Sequence, residues 1–327
     1  MQVVKIAVPG GPDVLSMADA AEPIPGPGEV LIEVVGAGVN NADLLQRAGR
    51  YPPPAGAPAW PGLEVSGRVA AVGPSAHAAL PASGSPVVAL LDGGGYAERV
   101  VVPAGQVLPA PHGVDLVDAA ALPEAACTVW STLVTAAGLR SGEWLLVHGG
   151  SGGIGTLAVQ IGVALGARVA TTAGGPERAE RCRALGAQVV VDHRSEDFVA
   201  RLREATDGHG ADVVLDVIGG AYLQRNVDVL ATGGRLAVIG LQQGRRGELD
   251  LGALLTKRAT VLATTLRSRP AHEKAAIVAA VGDHVWPMVA DGRVRPVVQD
   301  RLPLAEAARA HELMAAGAVF GKLVLVP

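Results

Sequence analysis

The sequence predicts an α/β chain of two domains, a β-rich first domain and a doubly wound, six-stranded parallel sheet, with a tail that returns to the first domain. Three observations predict it. Residues 1–122 carry short β-branched runs broken by Gly and Pro, strands and helices alternate regularly from Trp144 to about residue 266, and a Gly-rich turn joins the first of those strands to its helix.

Taken in order, the first domain shows runs such as Val30-Leu31-Ile32-Glu33-Val34-Val35 and Arg99-Val100-Val101-Val102. One helix interrupts them at 41–48, where Asn41 can cap and Leu44, Leu45 and Ala48 share a face. From about Val117 the texture turns Ala-rich and helical, so the second domain is set at 123–266. Its strands are expected at 144–148, 168–173, 188–192, 212–217, 235–240 and 260–266, with helices between most of them. The tail, 267–327, reads as a helix at 273–290, a strand near Val297, a helix at 304–316 and a closing strand at 322–326. Tyr51-Pro52-Pro53-Pro54-Ala55-Gly56 is a stiff loop suited to border a site.

Composition removes several classes of function. With 327 residues, 49% hydrophobic and 3% aromatic, the chain is long enough for two cores packed with Ala, Val and Leu. A net charge of −4 with the two signs interspersed leaves no basic stripe for nucleic acid or an anionic membrane, so a small-molecule partner is expected. The first residues read as a strand rather than a leader peptide, and no apolar stretch reaches spanning length. Cys127 and Cys182 are the only cysteines, too few for a disulfide framework, which fits a reducing cytoplasm.

The strongest chemical motif is His148-Gly149-Gly150-Ser151-Gly152-Gly153-Ile154-Gly155. Here GxGxxG follows a strand and opens a helix, the setting in which glycines let backbone N–H groups approach a pyrophosphate at a positive helix end. Cofactor choice is read where the second strand ends. An NAD site wants Asp or Glu there, whereas this chain has Ala173 and Gly174, then Arg178 as a bidentate partner for a 2′-phosphate. NADPH is therefore the expected cofactor. Glu177 argues the other way unless it points to solvent, and Arg178 has the plain alternative of a solvated helix residue.

Four segments together carry a family resemblance. These are Asn40-Asn41-Ala42-Asp43-Leu44-Leu45-Gln46-Arg47-Ala48-Gly49-Arg50-Tyr51, Pro61-Gly62-Leu63-Glu64-Val65-Ser66-Gly67, the Gly-rich turn, and Asp216-Val217-Ile218-Gly219-Gly220. The chain resembles the quinone oxidoreductases of the medium-chain dehydrogenase/reductase superfamily along nearly its whole length. The resemblance implies a GroES-like catalytic domain in two sequence pieces around a Rossmann domain, and a homodimer built through the last Rossmann strand at 260–266. It implies that Asn40, Tyr51 and Thr128 line the nicotinamide and substrate cleft. Ile218, Gly240, Leu266, Arg267 and Lys322 would contact the cofactor from several loops. Each has a bland alternative: Asn40 as a helix cap, Thr128 as a helix residue, Tyr51 as packing.

Departures matter as much. Zinc-using members carry histidine before the glutamate, where this chain has Leu63-Glu64, so no metal is expected. No HxxxH or HxH spacing occurs; His77, His112, His209, His272, His284 and His311 read as surface or turn residues, and Cys127 as a small buried side chain. His193 follows the third strand, where relatives commonly have tyrosine beside the adenosine phosphate. It either stacks or donates there or is a surface histidine. A human member has serine at the position of Gly152, so Ser151, one place earlier, is assigned to the cofactor turn without a catalytic hydroxyl role.

The expected chemistry is delivery of hydride from NADPH to a quinone, with developing charge met by hydrogen bonds rather than a metal. Quinones are reduced readily, so no strong general acid is demanded, and one-electron reduction stands as a variant. Reduction of an enone, in which Tyr51 would serve as proton donor, is the nearer alternative. A non-catalytic NADPH-binding redox sensor is the alternative of another class.

Overall fold

The computed structural model describes residues 1–74 and 82–327; His77 lies outside the described residues. The chain forms two compact units, Met1–Cys127 with Leu266–Pro327, and Thr128–Thr265. The chain leaves the first unit inside the helix Pro123–Val129, and Leu266 goes with the tail.

In the second unit the strands Trp144–Val147, Arg168–Ala173, Val189–Asp192, Ala211–Asp216, Leu230–Val238 and Thr260–Ala263 pair entirely in parallel. Their spatial order is third, second, first, fourth, fifth, sixth. This is the doubly wound order, and it puts a crevice beside the first strand, where the winding reverses. Every residue of Trp144–Val147 is buried, as a parallel strand covered on both faces requires. Leu146, Ala170, Val191, Val214 and Leu236 form the core with Phe198 and Leu202. Truncating one of the leucines, for example Leu146→Ala, removes about 2–5 kcal/mol of stability.

The limits of two strands, the fifth and the sixth, differ from the sequence reading by more than one residue. The fifth strand begins at Leu230 rather than at 235, running through Gly233 and Gly234; the shift in register opposite Ala211 and Val213 accommodates them. The sixth ends at Ala263, after which Thr264 donates its last backbone bond to the Val238 carbonyl.

The first unit is built on a seven-stranded sheet. Its order runs Val298–Pro303, Lys322–Val326, Glu29–Gly38, Glu64–Val72, Pro86–Leu90, Val107–Pro109, with Arg99–Pro103 also paired to Glu29–Gly38. The tail thus supplies two neighbouring strands, as its β pattern predicts. Strand Arg99–Pro103 alternates, turning Val100 and Val102 inward onto Val30, Ile32, Val65, Val69, Leu323 and Leu325. The long tail helix spans Ala271–Ala290, and among the described residues no helix is long and apolar enough to cross a membrane.

The first helix runs Asn41–Arg47, with Asn40 rather than Asn41 at the capping position. The Asp43 carboxylate reaches back to accept the Asn40 N–H at 2.8 Å, while the Asn40 side chain is turned elsewhere. His311 also departs from its reading as a surface residue. It is fully buried, between Tyr96 and Arg47, because its two ring nitrogens find partners there. His112, His209, His272 and His284 are exposed.

Candidate active site

In the second unit the Gly-rich turn leaves the first strand and ends in the helix Gly153–Ala164, whose first turn has no side-chain cap. The glycines do separate jobs. A Cβ at Gly150 would run into the Thr171 side chain of the second strand, and one at Gly155 into the Gly149 carbonyl. Those two let turn, helix and sheet close on one another. Around Gly152 the nearest atom to such a Cβ is the Gly149 oxygen at 3.5 Å, so this face of the turn is open. Uncapped N–H groups, a positive helix end and an open glycine face suit a pyrophosphate. Ile154 lies in the first turn of the helix beside it, and buried Ser151 accepts a hydrogen bond from Arg178 at 3.4 Å.

His148 anchors the turn from below. Its Nε2 lies 2.7 Å from the Asn226 Oδ1 and its Nδ1 3.3 Å from the Thr172 hydroxyl, and burial pushes its pKa down to about 4. A neutral ring bonded on both sides is a structural histidine.

The second strand ends at Ala173 without an acid. A Cβ at Gly174 would stand 2.9 Å from the Arg194 Nε and 3.1 Å from the His193 Nε2, so glycine there lets the loop after the third strand lay two basic side chains against it. Asp192 fastens that loop by accepting the Arg194 N–H, and backbone bonds from Arg194 and Gly175 hold its carboxyl below the usual range. Glu177 is exposed, while Arg178 is half-buried beside the turn. Arg194 was not singled out from the sequence; the His193-Arg194 pair directly after a strand was its available signal.

Ile218 and Gly240 follow the fourth and fifth strands on the same carboxyl edge. Asp216 accepts the N–H groups of Ile218 at 2.7 Å and Gly219 at 3.0 Å, shaping that loop, and a Cβ at Gly240 would meet the Val217 carbonyl at 2.8 Å. Gly150, Gly174, His193, Ile218 and Gly240 therefore all follow carboxyl ends of parallel strands, the edge at which such sheets bind ligands. Thr128 is half-buried at the start of this unit, its carbonyl accepting the Ser131 hydroxyl.

In the first unit the structure brings Asn40 and Lys322 together on Glu64. The fully buried Glu64 carboxylate pairs with the Lys322 ammonium and accepts the Asn40 Nδ2 at 2.9 Å and the Glu124 backbone N–H at 2.9 Å. Lys322 also donates to the Asn40 Oδ1 at 2.6 Å, leaving one of its three N–H donors. Glycine at 38 makes room, since a Cβ there would strike the Glu64 carboxylate.

Tyr51 lies with its ring 5.4 Å from the Arg267 guanidinium carbon, within cation–π range. Arg267 is itself fixed, donating to the Asp92 carbonyl and the Gln46 Oε1, each at 2.7 Å. Leu266 beside it is buried. Burial, then the nearby Glu124 carboxyl, push the Tyr51 phenol upward, and Glu124 itself is pushed up to about 8 by burial and by Glu64.

A second buried chain of polar groups supports the same corner. Asp43 accepts N–H bonds from Asn40 and, at 2.9 Å, from Gly62, so one carboxylate joins the segments bearing Asn40 and Glu64. The Tyr96 hydroxyl lies 3.4 Å from Asp43 and 3.1 Å from His311, whose other nitrogen meets Arg47 at 3.3 Å. Burial raises Asp43 to about 6 and lowers His311 to about 3. Among the described residues no three His, Cys, Asp or Glu side chains converge as metal ligands, and both cysteines are buried and unbridged.

Comparison with known proteins agrees with this geometry. Residues 26–112 match the alcohol dehydrogenase GroES-like domain and residues 153–281 the zinc-binding dehydrogenase domain. The human quinone oxidoreductase is 30% identical, the match covering 100% of this chain and 98% of that protein. The structure of Escherichia coli quinone oxidoreductase complexed with NADPH superposes with a TM-score of 0.89 at 28% identity, all of both chains being covered. That of CurK enoyl reductase does so at 0.87 with 25% identity, covering 99% of this chain and 98% of that one. The chain also matches a phenolphthiocerol/phthiocerol polyketide synthase of Mycobacterium tuberculosis at 34% identity over 98% of its own length, while spanning 14% of that much longer polypeptide.

Proposed function

Because the chain belongs to the quinone oxidoreductase family of the medium-chain dehydrogenase/reductase superfamily, we propose that it is a zinc-independent reductase that passes reducing equivalents from NADPH to a quinone. The observation that carries this reading is the basic end of the second strand, where Gly174 admits Arg194 and His193, Arg178 lies beside the turn, and no acid follows Ala173. Guanidinium groups there suit a 2′-phosphate and the missing acid removes the preferred partner of a free ribose hydroxyl. The nicotinamide, when bound, supplies hydride. Gly150, Gly152, Gly153 and Gly155 let the backbone receive the pyrophosphate, and Ser151 and Ile154 complete that turn. Ile218 and Gly240 border the same sheet edge. Asn40, Tyr51, Thr128, Leu266, Arg267 and Lys322 are the groups proposed around nicotinamide and acceptor, Tyr51 and Asn40 having the catalytic part.

The site carries no metal in this proposal; Glu64 is neutralised by Lys322 instead. The acceptor is a small molecule, and reduction of an enone is a second reading supported by the likeness to CurK enoyl reductase. The sixth strand lies at the sheet edge with Val261 exposed, which suits pairing with a second copy in a homodimer. Unbridged buried cysteines suit the reducing cytoplasm.

The test is oxidation of NADPH and NADH in the presence of ortho-quinones, para-quinones and enones. Faster turnover with NADPH and quinones is expected. Preference for enones replaces the substrate assignment, and tight NADPH binding without turnover of any acceptor replaces the enzyme with a sensor.

A further inference from the structure

Thr172, near the end of the second parallel strand, holds the Gly-rich turn with both of its oxygens. Its carbonyl accepts the Gly150 N–H at 2.9 Å and its hydroxyl the Gly149 N–H at 3.1 Å. Gly149 stands at φ +72°, a conformation open to glycine, and its own carbonyl accepts the Gly152 N–H at 3.0 Å. Three N–H groups of the turn are thus spent inside the protein. A phosphate is left to the uncapped start of the helix Gly153–Ala164, and a Cβ at Gly155 would stand 2.1 Å from the Gly149 carbonyl, so the placing of Gly149 places the helix end. Beneath the turn the direction of each bond follows from what the groups can do. A backbone N–H only donates, so the Thr172 oxygen accepts from Gly149 and keeps its own proton to give. The Asn226 Oδ1, 2.7 Å from the His148 Nε2, only accepts, so Nε2 carries the one proton of the neutral ring. Nδ1 is then bare, and the Thr172 hydroxyl, 3.3 Å away, donates to it. Asn226 is fully buried, and among the described residues its Nδ2 has no partner. An apolar side chain would avoid that cost, which leaves holding the ring as the task of the amide oxygen. Phe198 and Tyr222 fix the ring plane in T-shaped contacts, with centroids 4.7 and 5.0 Å away.

We propose that Thr172 is a positioning residue for the dinucleotide, its hydroxyl setting the turn in the shape that receives the pyrophosphate while His148 and Asn226 set the hydroxyl. This role rests on the reading of the turn as the cofactor site. The relay runs in one direction, from the Gly149 N–H through the Thr172 hydroxyl and the imidazole to the Asn226 amide, and all four residues belong to the second unit. Without the hydroxyl, the Gly149 N–H and the His148 Nδ1 lose their partner together. The cofactor then binds a turn that it must first order, which costs affinity although no contact to the cofactor itself is removed. The pyrophosphate is common to NADPH and NADH, so the effect of Thr172 is blind to the 2′-phosphate. That separates it from Arg178 and Arg194, the groups proposed for that phosphate.

Thr172→Val keeps the branched shape that suits a strand and removes only the hydroxyl, while Thr172→Ser keeps the hydroxyl and removes the methyl. Dissociation constants for NADPH and NADH are read by fluorescence titration, and imidazole-nitrogen NMR and amide exchange are recorded on the chain without cofactor. Expected are a loss of about 10-fold in affinity with Thr172→Val, alike for the two cofactors, and binding close to wild type with Thr172→Ser. Without cofactor, wild-type His148 should carry its proton on Nε2. In Thr172→Val its Nδ1 signal should shift and the Gly149 amide should exchange faster. Thr172→Val binding both cofactors as tightly as wild type, or losing NADPH alone, overturns the assignment while leaving the cofactor site intact. Thr172→Ser as weak as Thr172→Val overturns it too, since the methyl rather than the hydroxyl would then be the cause. Should Thr172→Val not fold, the wild-type tautomer decides, and a proton on Nδ1 sinks the relay. A wild type that binds neither cofactor overturns the dinucleotide reading and, with it, this one.

Discussion

Lys322 and Glu64 form a buried ion pair between residues 258 positions apart, closed into a triangle by Asn40. Removing one partner strands a charge where water cannot reach it. Lys322→Met should cost about 3–5 kcal/mol in urea unfolding. Adding Glu64→Gln to that variant should recover part of the loss, and a double variant no more stable than Lys322→Met alone contradicts the pairing.

The glycines of the turn should separate folding from binding. Gly150→Ala drives a methyl into Thr171 and should lower stability by about 1–3 kcal/mol. Gly152→Ala has room in the free chain, so its melting temperature should hold while NADPH affinity falls. Thermal unfolding and NADPH fluorescence titration read the two effects; equal melting temperatures for both variants would speak against this division.

Cofactor preference should depend on the basic groups around Gly174. A charge-assisted hydrogen bond is worth about 1.5–3 kcal/mol. Arg178→Ala and Arg194→Ala should therefore each weaken NADPH about 10- to 100-fold and leave NADH nearly unchanged. Parallel losses for both cofactors would move these arginines away from the 2′-phosphate.

Stability should respond to pH through His148. Its folded pKa, about 4, lies below the ordinary 6.5, so between these values the unfolded chain binds a proton that the folded chain refuses. The contribution is complete above pH 6.5 and is lost as pH falls toward 4, by roughly 3 kcal/mol in all. His148→Gln lacks this loss. Its stability relative to wild type should improve by that amount between pH 7 and pH 4 in urea titrations, and a constant difference would refute the buried neutral ring.

The parallel sheet and the Gly-rich turn were legible because both are written locally: strand and helix periods alternate within short windows, and the turn's residues are consecutive. The carboxylate cluster was not. Asn40, Glu64, Glu124 and Lys322 are scattered along the chain, and only the sheet that joins strand Glu64–Val72 to the tail strand through Glu29–Gly38 gathers them. His311 misled for the same reason. A histidine on an amphipathic helix reads as polar surface until Tyr96 and Arg47, from distant segments, supply its partners. The role of the Asn40 side chain was not legible, because it is set by Glu64 and Lys322, which lie far from it in sequence.

The seven-stranded sheet borrows Val298–Pro303 and Lys322–Val326 from the end of the chain. During synthesis the ribosome must therefore finish the contiguous second unit before the first can seat Lys322–Val326. Until Lys322 arrives, Glu64 has no cation, and the half-made sheet leaves Ala37 and Gly38 without their strand partners. Contacts of this sequence separation close slowly. The second unit can mature while the first waits, so loss of the last few residues should leave the second unit folded and the first trapped as an aggregation-prone intermediate.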